Sequence, residues 1–216
     1  MFDAMLIVPE PRRIIERPDS TVGLGSALSS YQGQERRAMI DPLAALTIRQ
    51  NRLDELRAFD SHPGSGTYCQ IIRQLIDQLR LPQPNYELEF EFTSFTCDLA
   101  ARFAQRSIET LMVSNQYMVQ DLSKISRQNT GIHRLFKNEK APIKSSVILL
   151  GDSHSNSAIA PHLSHIFEQV RFIWASRRDA YEPFSEEILG YGKEADYIVE
   201  EIAERFFLNN FCLPIE

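Results

Sequence analysis

Cysteine is scarce in this chain: three occur in 216 residues (Cys69, Cys97 and Cys212), and no two of them stand in a CxxC pair. Neither a disulfide framework nor a structural zinc site is therefore expected. A basic excess is lacking too, with 23 Lys and Arg against 29 Asp and Glu and a net charge of -6. Nucleic acid is thus not an expected partner, because binding it takes a concentrated basic face that displaces counterions. No apolar run reaches the roughly 18 residues that would span a bilayer, so no transmembrane segment is expected. The first nine residues, Met1 to Pro9, lack a charged region followed by a long apolar stretch, so they do not read as a signal peptide. On that reading the chain is cytoplasmic, or a targeting segment lies outside it. Internal repeats and low-complexity segments are also missing. His162 and His165 are three apart on one predicted helix face, a spacing that suits zinc. No third ligand follows at a metal spacing, so neither metal nor cofactor is expected.

What is present is ordinary for a soluble globular protein, with 43% hydrophobic and 24% charged residues. A chain of this length can bury about 70% of its unfolded surface without staples. Residues 1–216 read as a single domain.

Met5–Pro9 reads as a buried strand, and residues 11–40 as a long polar loop. Ile40–Leu56 has helical leucine spacing at 43, 46, 53 and 56. The Gly- and Pro-rich segment 59–66 is a loop. Tyr68–Leu81 is an amphipathic helix, stopped by Pro82 and Pro84. Tyr86–Phe95 alternates as a half-exposed strand. A short helix at Asp98–Ala104 and a strand at Thr110–Val113 follow. Val147–Leu150, Val170–Ala175 and Tyr197–Val199 read as buried strands, with a helix over Ser157–Phe167. That alternation favours a parallel sheet with helices on both faces and active residues in the loops at the strands' carboxyl ends.

The strongest local signal is Gly151-Asp152-Ser153-His154-Ser155, directly after the strand Val147–Leu150. Glycine permits a sharp turn, and the serine arrives where a helix N-terminus can favour an oxyanion. Asp152 and Ser153 can equally be mere helix caps. A serine nucleophile needs a base. Asp60-Ser61-His62 supplies one candidate: alternate residues of an extended segment point the same way, so Asp60 can orient His62 and His62 can face a serine.

These residues resemble the Gly-Asp-Ser block of SGNH-type enzymes and, more narrowly, the alginate O-acetyltransferase subfamily with its Asp-x-His-Trp motif ahead of the serine. Phe59-Asp60-Ser61-His62-Pro63 matches that motif with Pro63 in place of tryptophan. Val8-Pro9-Glu10, Cys97-Asp98-Leu99-Ala100 and the run from Glu200 and Glu201 to Glu204-Arg205-Phe206 resemble further family segments, although glycine is usual at the place of Cys97. The resemblance implies a three-layer α/β/α sandwich with a mostly parallel central sheet. It implies Ser153 as nucleophile, His62 as base and Asp60 as orienter. It also implies an acetyl donor, a polysaccharide or oligosaccharide acceptor, contact with a polysaccharide biosynthesis complex, and a place in the periplasm or cell envelope.

Around the serine, Gly151, Asp152, His154 and Asn156 are candidates for the oxyanion or substrate site. Asn156 can also simply cap the helix, and His154 can pack locally or compete as base. Arg177 and Arg178, after the strand Val170–Ala175, either bind an acidic sugar or are solvated loop charges. Glu200, Glu201 and Glu204 read as a polar rim beyond the last strand. Three functions stay open: an O-acetyltransferase working through acetyl-Ser153, a carbohydrate acetylesterase with the same triad, and a non-catalytic polysaccharide-binding or assembly protein on the same scaffold.

Overall fold

The computed structural model describes residues 4–8, 38–40, 62–96, 107–123, 131–174 and 190–203. Among these residues the centre is a seven-stranded sheet in the order β2-β1-β9-β7-β8-β6-β5. The strands are β1 (Ala4–Val8), β2 (Ala38–Ile40), β5 (Met118–Asp121), β6 (His133–Lys137), β7 (Ile143–Gly151), β8 (Phe167–Trp174) and β9 (Tyr197–Ala203). From β2 to β8 the neighbours run parallel, whereas β6 lies antiparallel to β8 and β5 antiparallel to β6. The protein is therefore α/β with a mixed sheet and, among the described residues, few helices. The antiparallel edge was not legible from the apolar runs: β6, His-Arg-Leu-Phe-Lys, and β5 are short and mixed in polarity.

Two apolar layers flank β7 and β8, as the period of a strand requires. Val147, Leu149, Val170 and Phe172 face a core with Leu6, Val8 and two helical segments. Ile148, Leu150 and Ile173 face the other way and are covered by Tyr191, Ala195 and Ile198. Arg171 lies over the Tyr191 ring, 3.8 Å from its centre, and donates to His133 Nε2 at 2.8 Å.

The first described helix, α1 (Ser65–Gln78), buries Tyr68, Ile71, Ile72, Leu75 and Ile76 along one stripe. It begins three residues ahead of the predicted Tyr68, drawing the Ser-Gly-Thr of the loop into its first turn. It also closes early. Leu81 N–H bonds Ile76 O and Arg80 N–H bonds Asp77 O, a Schellman closure. Arg80 takes the left-handed position at φ 56. The residue before Pro82 is barred from helical geometry, which is why the chain turns there.

The predicted strand Tyr86–Phe95 is shorter at its start: β3 spans Phe90–Thr96 and pairs antiparallel with β4 (Ser107–Val113) in a separate two-stranded sheet. Tyr86 instead points into the core side of the molecule. After β7 the chain is helical from residue 153 to 164, with a π-helical stretch at Ser155–Ile159 followed by α2 (Ala160–Ser164). The predicted helix began four residues later and ran to Phe167, which is the first residue of β8. Within the long predicted loop 11–40, Ala38–Ile40 forms β2. Thus Ile40 is strand rather than helix, and the rest of the helix expected at 40–56 lies outside the described residues, as does the one expected at 98–104.

Candidate active site

Gly151 is the last residue of β7, where the parallel strands β7, β8 and β9 present their carboxyl ends on one edge. A Cβ on Gly151 would stand 2.5 Å from Glu201 Oε2 and inside the shell of Ser155 Oγ. The glycine is thus demanded by close approach of two side chains. Beyond it the backbone enters the helix with Asn156 N–H bonding Asp152 O at 3.0 Å. The Asp152 carboxyl caps the turn by accepting from His154 N–H at 2.9 Å. Ser157 Oγ donates to Ser153 O at 2.7 Å.

His62 enters from the loop before α1. Its Nε2 stands 2.8 Å from Ser153 Oγ across 91 positions of sequence. His62 is buried, whereas Ser153 keeps partial exposure. A hydroxyl that solvent-borne molecules can reach, with one imidazole nitrogen in hydrogen-bond contact, is the geometry of a nucleophile and its base. Asp60, Arg177 and Arg178 lie outside the described residues.

His154 does not compete for the serine. Its ring packs against His62 with centroids 4.6 Å apart, and its Nδ1 is 2.7 Å from the Tyr68 hydroxyl of α1. It therefore walls one side of His62, beside Pro63, which is itself buried. Asn156 does not cap the helix through its carbonyl: Oδ1 is buried with no hydrogen-bond partner among the described residues.

Sequence reasoning missed Glu201. The last strand does not stop at Val199 but continues to Ala203, so Glu200 and Glu201 are buried strand residues rather than a polar rim. Ile202-Ala203 after the glutamates was the available signal. Glu201, 1% exposed, accepts the Asp152 N–H at 3.0 Å and the Ser155 hydroxyl at 2.7 Å through Oε2. Burial, and then the charge of Asp152, push its carboxyl well above the ordinary carboxylate range.

His162 and His165 are separate from this site. His162 Nε2 bonds the Tyr86 hydroxyl at 2.9 Å. His165 Nε2 reaches Ser114 O at 3.4 Å. Among the described residues no group of three or more His, Cys, Asp and Glu is arranged to hold a metal ion. No described helix is long and apolar enough to cross a membrane.

No family model matches the chain, and neither does any curated protein. Solved structures do resemble it. A DHHW family protein from Eubacterium siraeum superposes with a TM-score of 0.63 at 10% identity, over 99% of this chain and 84% of that one. Bacillus cereus PatB1 gives 0.57 at 12% identity over 95% and 83%. The O-acetyltransferase domain of Pseudomonas putida AlgJ gives 0.56 at 14% identity over 95% and 76%. What these chains share with this one is the fold.

Proposed function

We propose that this chain is a serine-dependent O-acetyltransferase that moves an acetyl group onto a hydroxyl of a polysaccharide or oligosaccharide. The observation that carries the reading is the 2.8 Å contact between Ser153 Oγ and His62 Nε2. The fold shared with the O-acetyltransferase domain of AlgJ supports acetyl as the transferred group. The same reading takes residues 1–216 as one SGNH-type domain with helices on both faces of its sheet.

In this mechanism His62 Nε2 takes the Ser153 proton while Oγ attacks the acetyl carbonyl carbon of the donor. The carbonyl oxygen becomes an oxyanion that the Ser153 N–H, at the start of the helix, is placed to stabilise. Collapse expels the donor's leaving group, which carries away the proton from His62, and acetyl-Ser153 remains. His62 then removes the proton of the sugar hydroxyl, whose oxygen attacks the acetyl carbon. Ser153 departs and recovers the proton. Asp60, two positions before His62, is assigned to hold Nδ1 and to stabilise the imidazolium that forms twice in the cycle. His154, at 4.6 Å, keeps the imidazole plane fixed.

A sulfonyl fluoride followed by mass spectrometry tests the nucleophile, an apt probe because PatB1 has been captured with a sulfonyl adduct. Ser153 should carry the label, and His62→Ala should lose it. A folded chain that takes no label at Ser153, or a His62→Ala variant that labels at the wild-type rate, defeats the reading. Acetyl release compared with acetyl transfer to an oligosaccharide then separates transferase from esterase.

A further inference from the structure

Two carboxyl groups meet beneath the turn that presents Ser153. Asp152 and Glu201 are 2% and 1% exposed, and each charge on the pair acts on the other. Glu201 Oε2 is fully used as an acceptor, by the Asp152 N–H and the Ser155 hydroxyl. Glu201 Oε1 is buried and has no acceptor-side partner among the described residues. β1 sets Leu6 beside Glu201 in register, and β7 ends there at Gly151. The titratable groups that the turn contributes are Asp152 and His154, the latter engaged with Tyr68. No described Lys or Arg makes an ion pair with Glu201. Two ionised carboxylates in so dry a place would repel and both lack solvation, so one must hold a proton. The upward push on the Glu201 carboxyl puts it on Glu201, and Oε2 is already taken as an acceptor, which leaves Oε1.

We propose that Glu201 is a positioning residue working as a neutral carboxylic acid. Its Oε2 holds the Asp152 amide and the Ser155 hydroxyl, its Oε1–H is shared with the Asp152 carboxyl, and the closed turn holds Ser153 against His62. This role rests on the reading of Ser153 as nucleophile. Glutamine reproduces the arrangement atom for atom, with its carbonyl in the place of Oε2 and its NH2 donating to Asp152. Alanine leaves the Asp152 N–H and the Ser155 hydroxyl without their buried acceptor.

The test compares wild type with Glu201→Gln and Glu201→Ala by two readouts: the rate of Ser153 sulfonylation and stability to denaturant as a function of pH. Glu201→Gln should label within about threefold of wild type, and Glu201→Ala about 30-fold more slowly, because a small displacement of the nucleophile is costly. The stability arm does not depend on the chemistry at Ser153. A carboxyl whose folded pKa is raised binds its proton more tightly folded than unfolded, where the ordinary value is 4.5. Wild-type stability should therefore fall relative to Glu201→Gln as pH rises above that value. A stability difference that stays flat with pH overturns the neutral acid even if Glu201→Ala cannot be folded. Labelling in wild type with Glu201→Gln as slow as Glu201→Ala also overturns it, as does a folded Glu201→Ala that labels at the wild-type rate. No labelling in the wild type would instead remove the nucleophile reading, while the stability arm still reports the proton.

Discussion

The helical segment 153–164 carries a histidine cluster at each end, and the two ends are alike in almost everything but their partners. At the start, His62 and His154 pack at a tilt beside Ser153. At the finish, His162 bonds Tyr86 and His165 stands edge-on to Tyr117 with centroids 4.9 Å apart. All four rings are buried. His162 is pushed down to about 3, chiefly by its burial and then by His165 and Arg73. His165 is also lowered by burial, against hydrogen bonds that raise it. Yet neither faces a group that can attack a substrate. Burial and a shifted pKa mark a histidine as constrained; a partially exposed hydroxyl at 2.8 Å gives one something to do.

The comparison is broken most severely by removing one ring from each end. His62→Ala should lower acetyl transfer by about 10⁴-fold or more even in the protein that stays folded, since the base is lost together with its buried ring. His162→Ala should invert that outcome. Deleting a fully buried ring and stranding the Tyr86 hydroxyl is expected to cost about 2–4 kcal/mol in denaturant unfolding, while the folded fraction still labels at Ser153.

The finishing end should also own much of the acid sensitivity. His162 has its ordinary pKa of 6.5 when unfolded and about 3 when folded, so the unfolded chain binds the extra proton between those values. Its contribution is complete above 6.5 and is lost as pH falls toward 3. A His162→Gln variant, if folded, should show a shallower decline over that window.

A smaller effect sharpens the starting end. Tyr68→Phe removes the hydroxyl on His154 Nδ1 and should cost about 1 kcal/mol of stability together with a several-fold slower transfer, because His154 would no longer hold the His62 plane firmly. Tyr86→Phe, the matching change at the finish, should cost about 1 kcal/mol and leave the rate alone.

How much of this could be read beforehand varies by element. β7, β8 and α1 were legible because apolar residues dominate each: Val147 to Leu150 without a break, Val170, Phe172, Ile173 and Trp174 around the single Arg171, and Ile71, Ile72, Leu75 and Ile76 at helical spacing. β5 and β6 were not, since their pairing on the antiparallel edge draws on backbone bonds that short mixed sequences do not announce. The buried Glu200 and Glu201 were misjudged because charge in a strand ordinarily means solvent. Here two accepted hydrogen bonds make Glu201 tolerable inside.

Local chemistry, then, belongs to the sequence: a glycine at the end of an apolar run, a serine two positions later, and a histidine in a tight loop ahead of a helix. Their meeting does not. The contact between residues 62 and 153 spans 91 positions, and the carboxyl that closes the turn arrives from β9, 49 positions beyond Asp152. Such proximities follow from which strands pair and which faces bury apolar surface, and both are settled by the whole chain folding at once.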